Sequence, residues 1–369
     1  MKIICKKTDL LKSINISLRA ISNKTTMKIL ECILIEAKNN VIKFISNDMD
    51  LGIETKVEGT IESEGTIAID AKIFSEIVRK LPDNFVTIET DDALSITILC
   101  EKSNFNIPGK SGEDFTFLPN VPKEQRISLS SYTLKEMINQ TIFSIAINEN
   151  NKIMTGELFE INNNNLKIVS LDGHRIAIRN QQLANTYEDK KVIVPGKTLM
   201  DLSKILSGEI DNVVDIFISS NHIVFQFDDT LVVSRLIEGE YFKIDQMLAI
   251  EYETKLTINK KDFLSSIDRS TLLVREGEKK PIVINITDEL MELKIDSSIG
   301  SMDEQIEISK SGKDIIIGFN PRFLIDALRV IEDETITIYM VNSKSPCVIK
   351  NDEESYVYLI LPVNFNQIY

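Results

Sequence analysis

Apolar residues recur along this chain in two periods, one of three to four residues and one of two, and the alternation between them is written three times. In the first copy Leu10, Leu11, Ile14, Leu18 and Ile21 share one face of a helix that the spacing opens at Asp9, with Thr8 placed to cap it. β-type stretches follow, Cys32-Ile-Leu-Ile-Glu-Ala, Val41-Ile-Lys-Phe-Ile and Leu51-Gly-Ile-Glu-Thr-Lys-Val, broken at Asn39-Asn40 and Asn47-Asp48. Thr66-Ile-Ala-Ile-Asp closes the first half. A second helix then opens at Ala71 behind Asp70 as cap, with Ile73, Phe74, Ile77, Val78 and Leu81 on one face. Strands Phe85-Val-Thr-Ile-Glu and Leu94-Ser-Ile-Thr-Ile-Leu-Cys finish the copy. The second copy uses Leu134, Met137, Ile138 and Ile145, then Leu199, Leu202, Ile205 and Leu206. The third uses Phe263, Leu264 and Ile267, then Phe323, Leu324, Ala327 and Leu328, where Asn320-Pro321 supplies cap and first-turn proline together.

The landmarks stay in phase. First helices open at Asp9, Thr133 and Asp262, and second helices at Ala71, Lys197 and Arg322, which is 62, 64 and 60 residues later. A polar turn falls between them at Asp48, Asp172 and Ser297, 39, 39 and 35 residues after the first helices. Identity between copies is low, so the repeat lies in pattern and spacing. The expectation is an α+β protein of three tandem domains, 1–120, 127–249 and 250–369, with boundaries near the proline-bearing stretch 117–126 and near 249–255. At 369 residues the chain exceeds one ordinary core, and its thirds sit near the common domain size.

Composition fits a globular chain, with 43% hydrophobic and 27% charged residues. No apolar run approaches the roughly 18 residues that cross a bilayer, and the start leads into a helix rather than a signal peptide, so a cytoplasmic location is expected. Cys5, Cys32, Cys100 and Cys347 lie far apart in apolar runs without a CxxC pair, which reads as buried free thiols. Net charge is −14, against a nucleic-acid role, but its distribution is uneven. Six helix windows (6–28, 72–80, 133–145, 197–204, 260–269 and 322–329) hold 17 Lys and Arg against 7 Asp and Glu, leaving −24 for the remainder. That segregation fits helices facing a polyanion; equally, windows picked by eye exaggerate a bias that rests largely on Lys6, Lys7, Lys12, Arg19, Lys24 and Lys28.

Catalytic chemistry is poorly represented. The two histidines, His174 and His222, lack a neighbouring nucleophile motif, and His222 follows Ser219-Ser-Asn in a turn expected to be solvated. Pro195-Gly196-Lys197-Thr198 and Pro108-Gly109-Lys110-Ser111 imitate a phosphate loop, but its leading glycine is Lys191 in one and Asn104 in the other. Asp48 and Asp50 resemble a metal pair without the ligands to complete an oxygen cage. The expectation is no enzyme, no cofactor and no metal site.

A more specific signal is Ser170-Leu-Asp-Gly-His-Arg-Ile-Ala-Ile178, whose residues 172–177 resemble the middle-domain turn of the bacterial DNA sliding clamps, the β subunits of DNA polymerase III. Met1-Lys2 with Asp9-Leu-Leu-Lys12 resembles that family's start. Ser234-Arg-Leu-Ile-Glu-Gly-Glu-Tyr-Phe242 resembles the close of its second domain, and Phe319-Asn320 with Leu361-Pro362-Val363 its last helix and C-terminal strand. The resemblance covers the whole chain. It implies three clamp domains with antiparallel sheets outside and helices inside, closed by a head-to-tail homodimer into a ring around duplex DNA, and a processivity factor that tethers the replicative polymerase, the clamp loader and other partners.

The resemblance also implies sites. A groove taking peptides of the Gln-Leu-x-Leu-Phe type would be walled by Met154, Leu171, Gly173, His174, Arg175, Ile176, Phe242, Gln246, Met247, Phe323, Leu359, Ile360, Leu361, Pro362, Val363 and Asn364. Lys24 matches a basic family position near DNA, to which charge alone adds Arg19 and Lys80; Phe105 and Ile107 would meet Leu272 and Leu273 across the dimer seam. Phe242 stands where the family often has proline, and Gln246 and Asn364 where it often has arginine, so peptide preference is expected to differ. Two other classes stay open: an enzyme with a composite site, and an acidic repeat-built scaffold that never encircles DNA.

Overall fold

The computed structural model describes residues 1–22, 25–147, 151–248, 251–275 and 280–365. Seven helices are described: α1 Lys7–Ser17, α2 Ala71–Lys80, α3 Ser131–Asn139, α4 Gly196–Ile205, α5 Asp245–Leu248, α6 Lys260–Thr271 and α7 Pro321–Val330. No helix among the described residues is long and apolar enough to cross a membrane.

The described residues form two compact units, 1–134 with 201–236, and 135–200 with 237–369. These cut across the three repeats because main-chain pairing carries a sheet from one repeat into the next. In the first unit a nine-stranded antiparallel sheet runs in the order Lys110–Ser111, Gly65–Asp70, Cys32–Lys38, Val41–Asn47, Leu51–Val57, Thr230–Arg235, His222–Phe227, Val213–Ile218 and Ile127–Ser130. Leu51–Val57 and Thr230–Arg235 are the strands joined across repeats. A five-stranded sheet built on Lys2–Lys6 and Phe85–Thr90 completes this unit. The second unit matches this plan: Gly156–Leu171, Arg175–Pro195, Tyr356–Ile360, Cys347–Lys350, Thr335–Met340, Thr254–Asn259 and Ser309–Gly312 form one sheet, with Arg175–Pro195 paired to Tyr356–Ile360. A four-stranded sheet centred on Ile282–Thr287 and Leu290–Asp296 lies in the same unit.

Period-2 and period-3.6 positions meet in the cores. Leu10 and Ile14 of α1 and Phe74 and Val78 of α2 are fully buried against Ile33, Ile35, Phe44, Ile67 and Ile69, with Phe44 and Phe74 edge to face at 5.9 Å. Phe263, Ile267, Leu324 and Leu328 do the same in the third repeat against Leu256, Ile284, Ile338 and Tyr358. Each fully buried side chain of this size stabilises by about 1.5–3 kcal/mol relative to exposure.

The repeat is reproduced in its hydrogen bonds. The first backbone N–H of each opening helix donates to the carbonyl of the residue just before a strand: Lys7 to Asn84 (3.1 Å), Ser131 to Asn212 (2.6 Å) and Lys260 to Glu334 (2.9 Å). The three polar turns share one device, a side-chain oxygen accepting from backbone N–H groups two and three residues on. Asp48 accepts from Asp50 and Leu51 (3.2 and 2.7 Å), Asp172 from His174 and Arg175 (2.9 and 3.1 Å), and Ser297 from Ile299 and Gly300 (3.1 and 3.4 Å).

Asp70 and Asn320 cap α2 and α7 as expected, accepting from Ile73 N–H (2.8 Å) and Arg322 N–H (3.1 Å). Four local expectations are corrected. Thr8 caps nothing: α1 leaves its strand directly at Lys7, whose N–H is already satisfied by Asn84. Ile73 is 46% exposed, since the buried stripe of α2 runs through Ala71, Phe74, Ser75 and Val78. Ile145 lies beyond the end of α3, after the short 3-10 turn Ile142–Ser144. His222 is half-buried rather than solvated; burial, with Arg235 nearby, holds its imidazolium form below the usual histidine range. All four cysteines are buried and free.

Candidate functional site

The second unit contains an apolar cavity of about 400 Å³ at the end of the long hairpin Gly156–Leu171/Arg175–Pro195. The hairpin turns through Asp172, which accepts from the N–H groups of His174 and Arg175, and through Gly173, whose φ of +85° lies in the left-handed region. The adjacent C-terminal strand extends the sheet, with Ile176 opposite Leu359, and Leu361 N–H donating to the His174 carbonyl at 2.9 Å. Met154 enters from a 3-10 turn, Lys152–Thr155, capped by Asn151 (3.2 Å to Ile153 N–H). Phe242, Ile244 and Met247 come from the segment leading into α5 and from α5 itself, and Pro346 from the turn before Cys347.

The structure therefore brings together ten expected residues, Met154, Leu171, Gly173, His174, Arg175, Ile176, Phe242, Met247, Leu359 and Leu361. Met247 is 52% exposed, Phe242 38% and Leu361 37%, large apolar side chains held half in water around a buried floor of Leu171, Ile176, Ile244 and Leu359. Such a cleft takes apolar side chains and offers them little charge.

Arg175 does not supply that charge, because its guanidinium is consumed by the wall. Its Nε donates to Asp172 (3.1 Å), Nη1 to Asp326 of α7 (2.6 Å) and Nη2 to the Phe143 carbonyl. The group also lies over the rings of Phe323 (4.5 Å) and Phe143 (5.3 Å), which ties α7 to the hairpin turn.

The other expected residues lie elsewhere. Phe323 stands behind the wall, stacked 6.0 Å from His174 and under Arg175. Ile360 alternates with Leu359 and points to the opposite face, fully buried in the third repeat's core. Gln246 is exposed on α5 outside the cavity, and Pro362, Val363 and Asn364 lie past it, with Val363 N–H donating to Gly318 at 2.9 Å. Ile244 and Pro346 were missed. Ile244 belongs to an irregular segment without period, and Pro346 is brought in only by the Cys347–Ile360 pairing.

Below the cavity strand lies an unusual group. Glu157 is fully buried and neither carboxyl oxygen makes a hydrogen bond of normal geometry; burial pushes its carboxyl well above the carboxylate range, against a smaller pull from the Thr141 hydroxyl. Burial, and to a lesser degree Glu157, also raises the Tyr241 phenol, which donates to the Val169 carbonyl at 3.2 Å.

Lys24 lies outside the described residues. Arg19 sits in a 3-10 turn 3.9 Å from Asp201, and Lys80 is exposed at the end of α2. Phe105 is 38% exposed on the edge strand Ser103–Pro108, while Ile107 packs on the first core. Leu272 is 77% exposed just after α6, and Leu273 is half-buried near Gly300. The phosphate-loop imitations are packing features: a Cβ at Gly196 would lie 2.4 Å from Ile145 Cδ1, and Lys110 donates to the Lys28 carbonyl (2.7 Å). No group of three or more His, Cys, Asp or Glu among the described residues is arranged to hold a metal ion.

Three family models match in succession: the N-terminal domain of the DNA polymerase III beta subunit over residues 1–119, its central domain over 128–243 and its C-terminal domain over 245–364. The beta sliding clamp of Staphylococcus epidermidis is 33% identical over 98% of this chain and 99% of its own length, and that of Staphylococcus aureus 32%. Among solved structures, a putative DNA polymerase III beta subunit from Eubacterium rectale is 63% identical with a TM-score of 0.96, covering 99% of this chain and 100% of that one. The DNA polymerase sliding clamp of Bacillus subtilis is 32% identical with the same TM-score and the same coverage. Three successive clamp domains, their full-length match to named clamps and a repeat carried down to individual hydrogen bonds place this chain in the DNA polymerase III β-subunit family, the bacterial sliding clamps.

Proposed function

We propose that this chain is a processivity factor of DNA replication, a non-catalytic cytoplasmic clamp that closes as a head-to-tail homodimer around duplex DNA and tethers the replicative polymerase and other partners to it. The observation that carries this reading is the apolar cavity between the Asp172–Arg175 turn and the C-terminal strand, in a chain that matches sliding clamps over its whole length. The acidic scaffold that never meets DNA is not favoured, since relatives matching end to end are clamps.

The chemistry suits exchangeable tethering. Leucine and phenylalanine anchors of a Gln-Leu-x-Leu-Phe peptide would displace water from Met154, Met247, Ile244 and Leu359, each anchor contributing about 1.5–3 kcal/mol on burial. Ordering the peptide opposes this, so affinity falls in a range that lets partners replace one another. A closed ring holds DNA by topology, which makes strong phosphate contacts unnecessary and tolerates a net charge of −14. Arg19, Lys24 and Lys80 are candidate DNA-facing residues. Phe105, Ile107, Leu272 and Leu273 are candidates for the dimer seam.

A fluorescent Gln-Leu-x-Leu-Phe peptide titrated against the parent and against Met247→Asp tests the groove, because Met247 is exposed enough to change without unfolding the chain. Micromolar binding by the parent, lost in the variant, is expected; equal binding by both sinks the groove assignment. Retention on circular DNA and release after linearisation tests the ring, which a monomer at micromolar concentration would contradict.

A further inference from the structure

The strand Gly156–Leu171 changes its alternation partway along. Leu158 and Glu160 fall on one side of the sheet, the register shifts between Ile161 and Asn165, and beyond that irregularity Lys167, Val169 and Leu171 return to the same side. Leu158, Val169 and Leu171 duly share one apolar cluster. The strand therefore sets two charged residues, Glu160 and Lys167, beside the apolar floor of the cavity described above. Segment 239–245 crosses this face and is pinned there by the Tyr241 hydroxyl, which donates to the Val169 carbonyl at 3.2 Å. Its Phe242 and Ile244 line the apolar cavity and also a second one, of about 430 Å³, that Glu160, Lys167, Lys191 and Lys243 line with them.

The charges of this second cavity are unevenly satisfied. Glu160, its side chain 16% exposed, is held by Lys191 at 2.7 Å. Lys167 is set almost as deep, at 20% exposure, yet its ammonium stands 3.8 Å from Glu160 and 3.7 Å from Asp245, both outside hydrogen-bond range. An ammonium carries three N–H donors, and leaving them without acceptors in a partly buried place is unfavourable. Lys243 is exposed and makes no ion pair or hydrogen bond with the described residues. The other two carboxylates, Glu240 and Asp245, are exposed, Asp245 by 88%, so water serves them already. A basic guest would have to compete with Lys191 for Glu160. An acidic one would supply the acceptor that Lys167 lacks.

We propose that this second cavity is a subsite for an acidic side chain flanking the apolar motif of a partner peptide, with Lys167 as the receiving ammonium and Lys243 as the exposed charge that draws the carboxylate in. The inference rests on the reading of the apolar cavity as a peptide groove. Phe242 is the wall common to both cavities and is 38% exposed, so a peptide seated by its leucine and phenylalanine anchors on one side meets the lysines by crossing one aromatic ring. The groove then supplies affinity through apolar burial, and the charged cavity ranks partners that share the motif by what flanks it.

Titration of Gln-Leu-x-Leu-Phe peptides carrying glutamate, serine or lysine either before or after the motif tests this. At low salt one of the glutamate-flanked peptides is expected to bind the parent about fivefold more tightly than its serine counterpart, the worth of one charge-assisted hydrogen bond after screening by water. The advantage should shrink as salt is raised. It should vanish in the double variant Lys167→Met, Lys243→Ser, which should hold the serine-flanked peptide as the parent does. If the double variant does not fold, Lys243→Glu alone decides, because reversing that exposed charge must remove the advantage. Equal affinity for glutamate and serine flanks on both sides, a preference for lysine, or an advantage that survives these substitutions overturns the subsite and leaves the groove standing. A parent that binds none of the peptides strikes the groove reading, and the subsite falls with it.

Discussion

Replacing Glu157 with methionine is predicted to stabilise the protein, and to do so more at high pH than at low. Glu157 is the second residue of the strand Gly156–Leu171 that runs to the cavity, with no accessible surface and no hydrogen bond of normal geometry to either carboxyl oxygen. Burial pushes its carboxyl well above the ordinary carboxylate range. The sign follows from linkage. Below about pH 4.5 folded and unfolded chains both hold the proton, and ionisation imposes no penalty. As pH climbs from there toward the folded-state pKa, the unfolded chain releases its proton while the folded chain retains it. Stability therefore declines across that interval, and levels off above the folded value.

Methionine has similar length, no ionisable proton and no polar atom demanding a partner. An unsatisfied buried polar group costs about 1–3 kcal/mol, so Glu157→Met should gain at least that much at pH 8 and less at pH 4.5. Glu157→Gln separates the two contributions: it keeps the unsatisfied polar group but removes the titration, so it should flatten the pH dependence with a smaller gain. Urea midpoints at pH 4.5, 6 and 8, followed by a probe in the second unit, read both effects. A parent whose midpoint does not fall with pH relative to Glu157→Gln, or a destabilised Glu157→Met, would refute the reasoning by showing that the carboxyl has a polar partner such as a buried water.

Arg175→Ala should destabilise the second unit by about 2–3 kcal/mol and weaken peptide binding, because it strips partners from Asp172, Asp326 and the Phe143 carbonyl; Arg175→Lys should recover little, as an ammonium cannot reproduce the fork. Chemical denaturation with a parallel peptide titration checks this. Met49→Gly should stabilise the first unit by about 0.5–1 kcal/mol, since relief of a side chain at φ +81° outweighs the added chain entropy of glycine, and a denaturation midpoint measures it. None of the four thiols should react with a disulfide reagent in the native state at pH 8: burial pushes Cys5 and Cys347 up to about 12 and raises Cys32 and Cys100, so absorbance should show four equivalents only after unfolding.

What could be read in the sequence was what repeats locally. Asp48, Asp172 and Ser297 were recognisable as turns because a short polar side chain bonds its own backbone two and three residues on, an interaction written wholly within four residues. Asp70 and Asn320 were legible as caps for the same reason, whereas Thr8 misled because its helix start is satisfied from Asn84, nearly eighty residues away. The cavity lining follows the same division. Its turn and C-terminal strand stood out as motifs, yet the alternation that sends Leu359 into the cavity and Ile360 into the core depends on strand register, and Pro346 enters only through the neighbour of that strand. Register also sets what differs between the two inter-repeat strand junctions. Gly52 and Ile176 are indistinguishable as members of apolar strand runs until their partners, Val233 and Leu359, put them at the same place. Only then is it visible that the linker residue Leu118 rests on Gly52 at the first junction, where the second carries the Ile176 side chain.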